Sequence, residues 1–318
     1  MADMDGVLII DKPAGMTSHD VVARVRRITG NRRVGHTGTL DPFATGVLVV
    51  LVGRATRLAQ FLSGAEKEYE AVIRLGYATD TGDLTGTRVS DFTTETQRST
   101  EIHREEIESA MAALRGEIEQ TPPMYSAKKV GGRKLYELAR RGEEIERKAV
   151  RVIINYFAEL NQDGALLKEN AEGTSDLRVR VVCSAGTYIR TLAEDFGKRL
   201  NVGAHLAALR RTAAGDFRIT QAVTLEQLQE KTENRELNSI LIPPDAALSH
   251  LPFVHLSADD ARQVRNGRAV RFDEKTDASW PDAQAVRMRA ESGRLIAVGM
   301  FEKASRSVHP RVVIDVEK

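Results

Sequence analysis

Apolar positions along this chain come in short runs whose period switches between two and about 3.6 residues, and the switches mark its elements. GVLIIDKP at 6–13 is a β-branched run halted by Pro13, which predicts a buried strand feeding a loop. Next, Thr17 or Ser18 can cap a helix whose Val21, Val22 and Val25 share one face before Gly30 ends it. The run GVLVVLVGRATRL at 46–58 predicts a second buried strand, and the alternation of YEAVIRLG at 69–76 a third. Residues 80–101 are polar and turn-rich and read as an exposed connection. Ile107, Met111 and Leu114 then recur at helical spacing, while 151–160 and 177–190 alternate as strands, the latter running into a helix over TLAEDFGKRL. Strands mixed with helices, without regular βαβ alternation, predict an α+β fold with a mixed or antiparallel sheet.

The three prolines of IPPDAALSHLP, 242–252, suggest a boundary between a first unit at 1–245 and a second at 250–318. The second carries five closely spaced strand-like segments and should be a small β-rich module.

Composition sharpens the reading by exclusion. The 318 residues are 42% hydrophobic and 29% charged, enough to bury sizeable cores without a disulfide or metal staple. A single cysteine, Cys183, rules out an intramolecular disulfide and a multi-cysteine metal site, and reads as a buried strand thiol. With no basic leader and no apolar stretch of membrane-spanning length, the expected location is the cytoplasm, away from membranes. Lys plus Arg number 46 against 45 for Asp plus Glu, so global charge points to no polyanion partner. Charge distribution does. From Lys128 to Arg151 nine basic residues face four acidic ones, with Tyr136 interleaved, as expected where phosphates are neutralised and bases stacked. A solvated helix face is the plainer explanation, which Gly131 and Gly132 argue against.

Phosphate-loop, GxGxxG, HExxH and GxSxG signatures are all missing from the sequence. The densest unusual stretch is Gly35 to Gly46, GHTGTLDPFATG, where three glycines, a proline, a histidine and an aspartate describe a tightly shaped loop. Asp41 precedes a proline, which holds it in an extended or turn conformation; an Asx turn alone would also explain it. A second concentration, CSAGTYIRTL from Cys183, would send Tyr188 and Arg190 to one face if extended. That arginine becomes informative if it sits beside Asp41, where it would orient the carboxylate and keep it ionised.

The segments DKPAGMTSHDVV, GHTGTLDPFATGVL, KEYEAVIRLGYATDTGD, PPMYSAKKVGGRKLYELAR, CSAGTYIRTLAEDFG and GAHLAALRRTAAGDF closely resemble the motifs of the bacterial TruB type of tRNA pseudouridine synthase. The resemblance covers roughly residues 5–250; the tail is similar to that family's C-terminal RNA-binding module, of the PUA type, in position, size and strand pattern. It implies conversion of uridine to pseudouridine at position 55 in the tRNA T-loop, without a cofactor, after the base is flipped out at a cost of a few kcal/mol. It implies that Asp41 is the catalytic aspartate, that Arg190 pairs with it and depresses its pKa, and that Tyr69 stacks on the target base. Tyr188 belongs to the same pocket, Leu209 to its apolar wall, His36 to the space beside the flipped nucleotide and Lys12 to the rim. Residues 121–147 match a thumb that closes over RNA, with Lys128, Lys129, Arg133 and Lys134 facing phosphates.

Two other functions merit comparison. A tRNA-binding or folding protein would not need the trio Asp41, Tyr69 and Arg190, and a guide-RNA-directed enzyme would be expected to carry basic terminal extensions that MADMDG and DVEK do not supply. A tRNA-specific monomer is therefore expected. A two-carboxylate glycosidase is disfavoured because no second acid stands out beside Asp41.

Overall fold

The computed structural model describes residues 4–89, 102–126, 129–130, 132–139, 141–143, 145–160, 166–170, 173–272 and 280–315. Strand β1 (Gly6–Lys12) and strand β3 (Thr45–Val52) are buried along nearly their whole length, so neither shows a polar face. They pair antiparallel, Gly6 opposite Val52 and Lys12 opposite Gly46. The other edge of β3 is shared. β2 (Val34–Thr37) takes its far end, opposite Val49 to Val52, and β8 (Ala204–Ala214) takes its start, Arg210 and Arg211 lying parallel to Thr45 and Gly46. The loop carrying Asp41 emerges between these two partners.

The sheet continues from β8 through β4 (Lys67–Leu75), β7 (Ser175–Cys183), β6 (Val150–Glu159) and β5 (Gly116–Gln120), all antiparallel. On β4 the odd-numbered residues Lys67 to Leu75 are buried and the even-numbered ones half-buried, the alternation of a strand with one covered face. Beneath it, helices α2 (Arg104–Ala112) and α3 (Ile189–Arg199) contribute Ile107, Met111, Leu192 and Phe196 to the core with Ile73, Val179 and Leu206.

Helix α1 (Ser18–Thr29) begins as the cap residues predict. Thr17 accepts from the Asp20 N–H while the Asp20 carboxylate accepts from the Thr17 N–H, a reciprocal box of about 1 kcal/mol. Val21, Val22 and Val25 press on Leu8, Ile10, Leu48 and Val50, joined by Leu225 and Leu228 of α4 (Leu225–Glu233).

Two expected strands end early. The run predicted to reach residue 58 stops at Val52 because Gly53, at φ 64°, turns the chain into a 3-10 helix over Gly53–Leu58. The segment predicted as a strand over 177–190 stops at Cys183, and α3 starts at Ile189.

A second sheet, ordered β9 (Phe253–Leu256), β11 (Ala285–Ala290), β12 (Leu295–Glu302), β13 (Ser307–Val313) and β10 (Val270–Arg271), closes over α5 (Ala258–Arg265). The protein is thus an α+β chain with a small β-rich C-terminal unit. Its seam with the first sheet is apolar: Leu248, Leu251, Leu295, Val298, Val312 and Ile314 share one buried cluster with Val7, Ile9, Val47 and Val49. Arg287, 5% exposed, donates to the Leu251 carbonyl and, with Arg289, engages the Asp245 carboxylate across that seam. The proline-rich stretch read as a boundary is therefore packed rather than a free linker.

Candidate active site

The residues flanking Asp41 are both held from the segment that joins β1 to α1. Ser18 Oγ donates to the Leu40 carbonyl (3.2 Å) and accepts from the Leu40 N–H (2.9 Å). The Pro42 carbonyl accepts from the Gly15 N–H (2.8 Å) and from Lys12 Nζ (3.1 Å). Gly46, at φ 98°, ends the loop where an added Cβ would collide with the Arg211 backbone, so the chain can only re-enter β3 this tightly with glycine.

Lys12 does not lie at the rim. It is 0% exposed, and its ammonium donates to the carbonyls of Pro13 (2.9 Å), Met16 (2.6 Å) and Pro42. Burial lowers its pKa to about 8, with Asp41 pulling the other way. It braces the loop from below.

Arg190 arrives from the first turn of α3, with Tyr188 as the cap residue, rather than from an extended strand. Its Nε donates to Asp41 Oδ2 at 2.9 Å and its Nη2 to Oδ1 at 3.3 Å. The remaining donors reach the carbonyls of Thr81 (2.8 Å) and Tyr125 (2.6 Å), and Nη1 faces Asp83 Oδ2 at 3.6 Å. Asp83 is 4% exposed and accepts from the Thr81 and Thr85 hydroxyls and the Thr85 N–H. It lies in the segment read as an exposed connection; that reading fails at Gly82 and Asp83, which are buried, and holds at Asp80, Leu84, Thr85, Thr87 and Arg88, while residues 90–101 lie outside the described residues.

Arg190 depresses the Asp41 pKa as expected, but a larger opposing effect leaves it above its ordinary value. Burial raises it, and the Arg190 guanidinium opposes that rise while Asp83 adds to it. Arg190 is what favours the ionised form of this half-buried carboxylate.

A cavity of about 270 Å³ opens above this pair, lined among others by Asp41, Tyr69, Ser126, Tyr188, Leu209 and Arg211. Tyr69 (8% exposed) stands on β4 opposite Arg211 of β8, and Leu209 (7% exposed) lies two residues before Arg211. Burial pushes the Tyr69 phenol up, so it stays protonated. Arg211, 1% exposed, donates to the carbonyls of Val47 (2.6 Å) and Gly38 (3.0 Å) and brings a fixed positive charge beside the phenol. Neither Asp83 nor Arg211 was singled out by sequence; the doubled arginine of HLAALRR was the available signal.

Two buried side-chain atoms among the described residues have no hydrogen-bond partner, His36 Nδ1 and Ser126 Oγ. Burial lowers the His36 pKa to about 4, and its ring meets His19 edge-on at 5.4 Å, so it is neutral near pH 7. Of the basic thumb residues, Lys128 lies outside the described residues; Lys129 and Lys134 pair with each other in a two-stranded sheet in which the exposed Arg133 pairs with Val130.

Residues 26–189 match the model of the TruB family pseudouridylate synthase N-terminal domain, and residues 190–249 that of the tRNA pseudouridylate synthase B C-terminal domain. The chain is 48% identical over 269 residues to tRNA pseudouridine synthase B of Geobacillus thermodenitrificans, covering 85% of this chain and 86% of that protein. It is 41% identical over 316 residues to the Bacillus pumilus protein of that name, covering 99% of each. Among solved structures it resembles an H/ACA RNP bound to a substrate RNA containing 2′-deoxyuridine, with TM-score 0.70 and 25% identity over 98% of this chain and 85% of that one. With an aspartate and arginine paired in a cavity and family models matched over 26–249, this chain belongs to the TruB family of tRNA pseudouridine synthases.

Proposed function

We propose that this enzyme isomerises uridine 55 in the T-loop of tRNA, with Asp41 as its reactive group and the target base flipped into the cavity. The observation that carries this reading is the bidentate Asp41–Arg190 pair facing a cavity that Tyr69 and Leu209 also line. The reaction breaks the N1–C1′ bond, forms a C5–C1′ bond and moves one proton from C5 to N1, so no atom is gained or lost. An ionised Asp41 acts either as nucleophile at C1′ or as base at C2′, and uracil departs as an anion in both routes. Tyr69 stacks on the base; because its phenol is protonated, it relays the C5 proton only by passing its own on in the same step. His36, neutral, fills the space beside the flipped nucleotide. Lys128, Lys129, Arg133 and Lys134 neutralise phosphates as the thumb closes. Lys12 is reassigned from rim contact to positioning residue.

Incubation with unmodified tRNA transcript followed by pseudouridine mapping tests the proposal. A product at position 55 supports it, and none in the T-loop overturns it.

A further inference from the structure

From Val21 to Leu40 the chain carries five arginines and no acidic residue. Arg24, Arg26, Arg27, Arg32 and Arg33 are all exposed, and they ring the far end of the hairpin formed by α1 and β2. Arg24 shares its charge with Glu226 on neighbouring α4. The other four pair with no carboxylate among the described residues, and Arg26 is held by its Nη2 bond to the Val34 carbonyl (2.8 Å). Unneutralised arginines this close together repel one another, a cost that a bound polyanion removes.

Both ends of this ridge lead somewhere relevant. The near end of α1 is pinned to the catalytic loop through Ser18 and Leu40, with His19 exposed next to His36. Twelve residues of helix set the far end roughly 18 Å away. There the Arg33 carbonyl accepts from Gly53 N–H, at the start of the segment whose Arg54 and Arg57 bond to the carbonyls of Ile314 and Val313. The exposed arginines therefore occupy the far half of α1 and the turn beyond it, next to the segment that meets the C-terminal unit.

We propose that Arg26, Arg27, Arg32 and Arg33 form a second RNA-binding surface, separate from the thumb, that holds the sugar–phosphate backbone flanking the flipped nucleotide. This rests on the tRNA reading above and extends it to a named surface. Guanidinium forks suit phosphate oxygens and carry no base information, so the ridge contributes affinity and register rather than sequence choice.

The test replaces Arg27, Arg32 and Arg33, whose side chains make no hydrogen bond or ion pair among the described residues, by alanine in one variant and by lysine in another. Filter binding of unmodified tRNA across a salt series reads the number of neutralised phosphates directly. The alanine variant should bind more weakly, with a salt slope shallower by roughly 0.7–0.9 log units for each phosphate no longer neutralised. The lysine variant should recover the slope. An unchanged slope in the alanine variant, or a weakening that lysine does not restore, overturns the surface even where wild-type enzyme forms pseudouridine 55. Failure of wild type to form that product would instead overturn the proposed function.

Discussion

Arg190 grips Asp41 through two different nitrogens, Nε on Oδ2 and Nη2 on Oδ1, while its Nη1 faces the buried carboxylate of Asp83. One cation thus stands between two acids, only one of which lines the cavity. Asp83, satisfied by threonine donors, fixes the guanidinium; the guanidinium fixes and ionises Asp41. Because Nη2 also donates to the Tyr125 carbonyl, the root of the thumb is joined to the same group.

Replacing Asp41 by Asn keeps shape and removes both nucleophilicity and basicity. Product formation should fall below detection while tRNA affinity stays within a few-fold of wild type. Single-turnover assays with Asp41→Asn check this, and genuine turnover by pure variant would disprove the assignment.

Arg190→Lys keeps the charge but loses the fork that fixes Asp41. Its single-turnover rate should drop about 100-fold, the scale of a small misplacement of a reacting group. The pH profile supplies the second readout. Burial already raises the Asp41 pKa and Arg190 opposes it, so weakening the pair raises that pKa further. In the proposed mechanism activity requires the ionised form, so the acid limb of the rate profile should move to higher pH; an unmoved limb would show that Arg190 does not control this ionisation.

Lys12→Met should discriminate bracing from RNA contact. Removing the ammonium leaves the Pro13 and Met16 carbonyls short of a donor, while the Pro42 carbonyl keeps the Gly15 N–H, at up to about 1–3 kcal/mol for each left unsatisfied. Melting temperature and the single-turnover rate should fall together, while the salt dependence of tRNA binding stays as in wild type. A flattened salt slope would return Lys12 to the RNA surface.

Ser126, a residue 4% exposed, offers a hydroxyl that lines the cavity and has no hydrogen-bond partner among the described residues. If the bound nucleotide supplies that partner, Ser126→Ala should leave thermal stability unchanged and weaken tRNA binding by one hydrogen bond, about 0.5–1.5 kcal/mol or 2- to 12-fold. Ser126→Thr, which retains the hydroxyl, should bind more tightly than the alanine variant. Equal affinity of wild type and Ser126→Ala would remove Ser126 from the substrate contacts.

What the sequence determined by itself were features written in neighbouring residues. The Thr17–Asp20 box and the Val21, Val22 and Val25 spacing specify α1; the alternation from Lys67 to Leu75 specifies β4; and the density of Gly, Pro, His and Asp from 35 to 46 marks the loop of Asp41. Tertiary structure decided whatever depends on distant groups meeting. Period two made Tyr188 and Arg190 neighbours on a strand face, yet packing of Leu192 and Phe196 into the core winds that segment into α3 and aims Arg190 at Asp41 from a helix. Asp83 sits in a polar stretch, and only the approach of Arg190 makes it a buried partner. Lys12 looks like a surface lysine at a strand end until three carbonyls close around it. The sign of the Asp41 shift follows the same logic: an arginine partner can be inferred from a motif, but the desolvation that outweighs it exists only once the surrounding chain has excluded water.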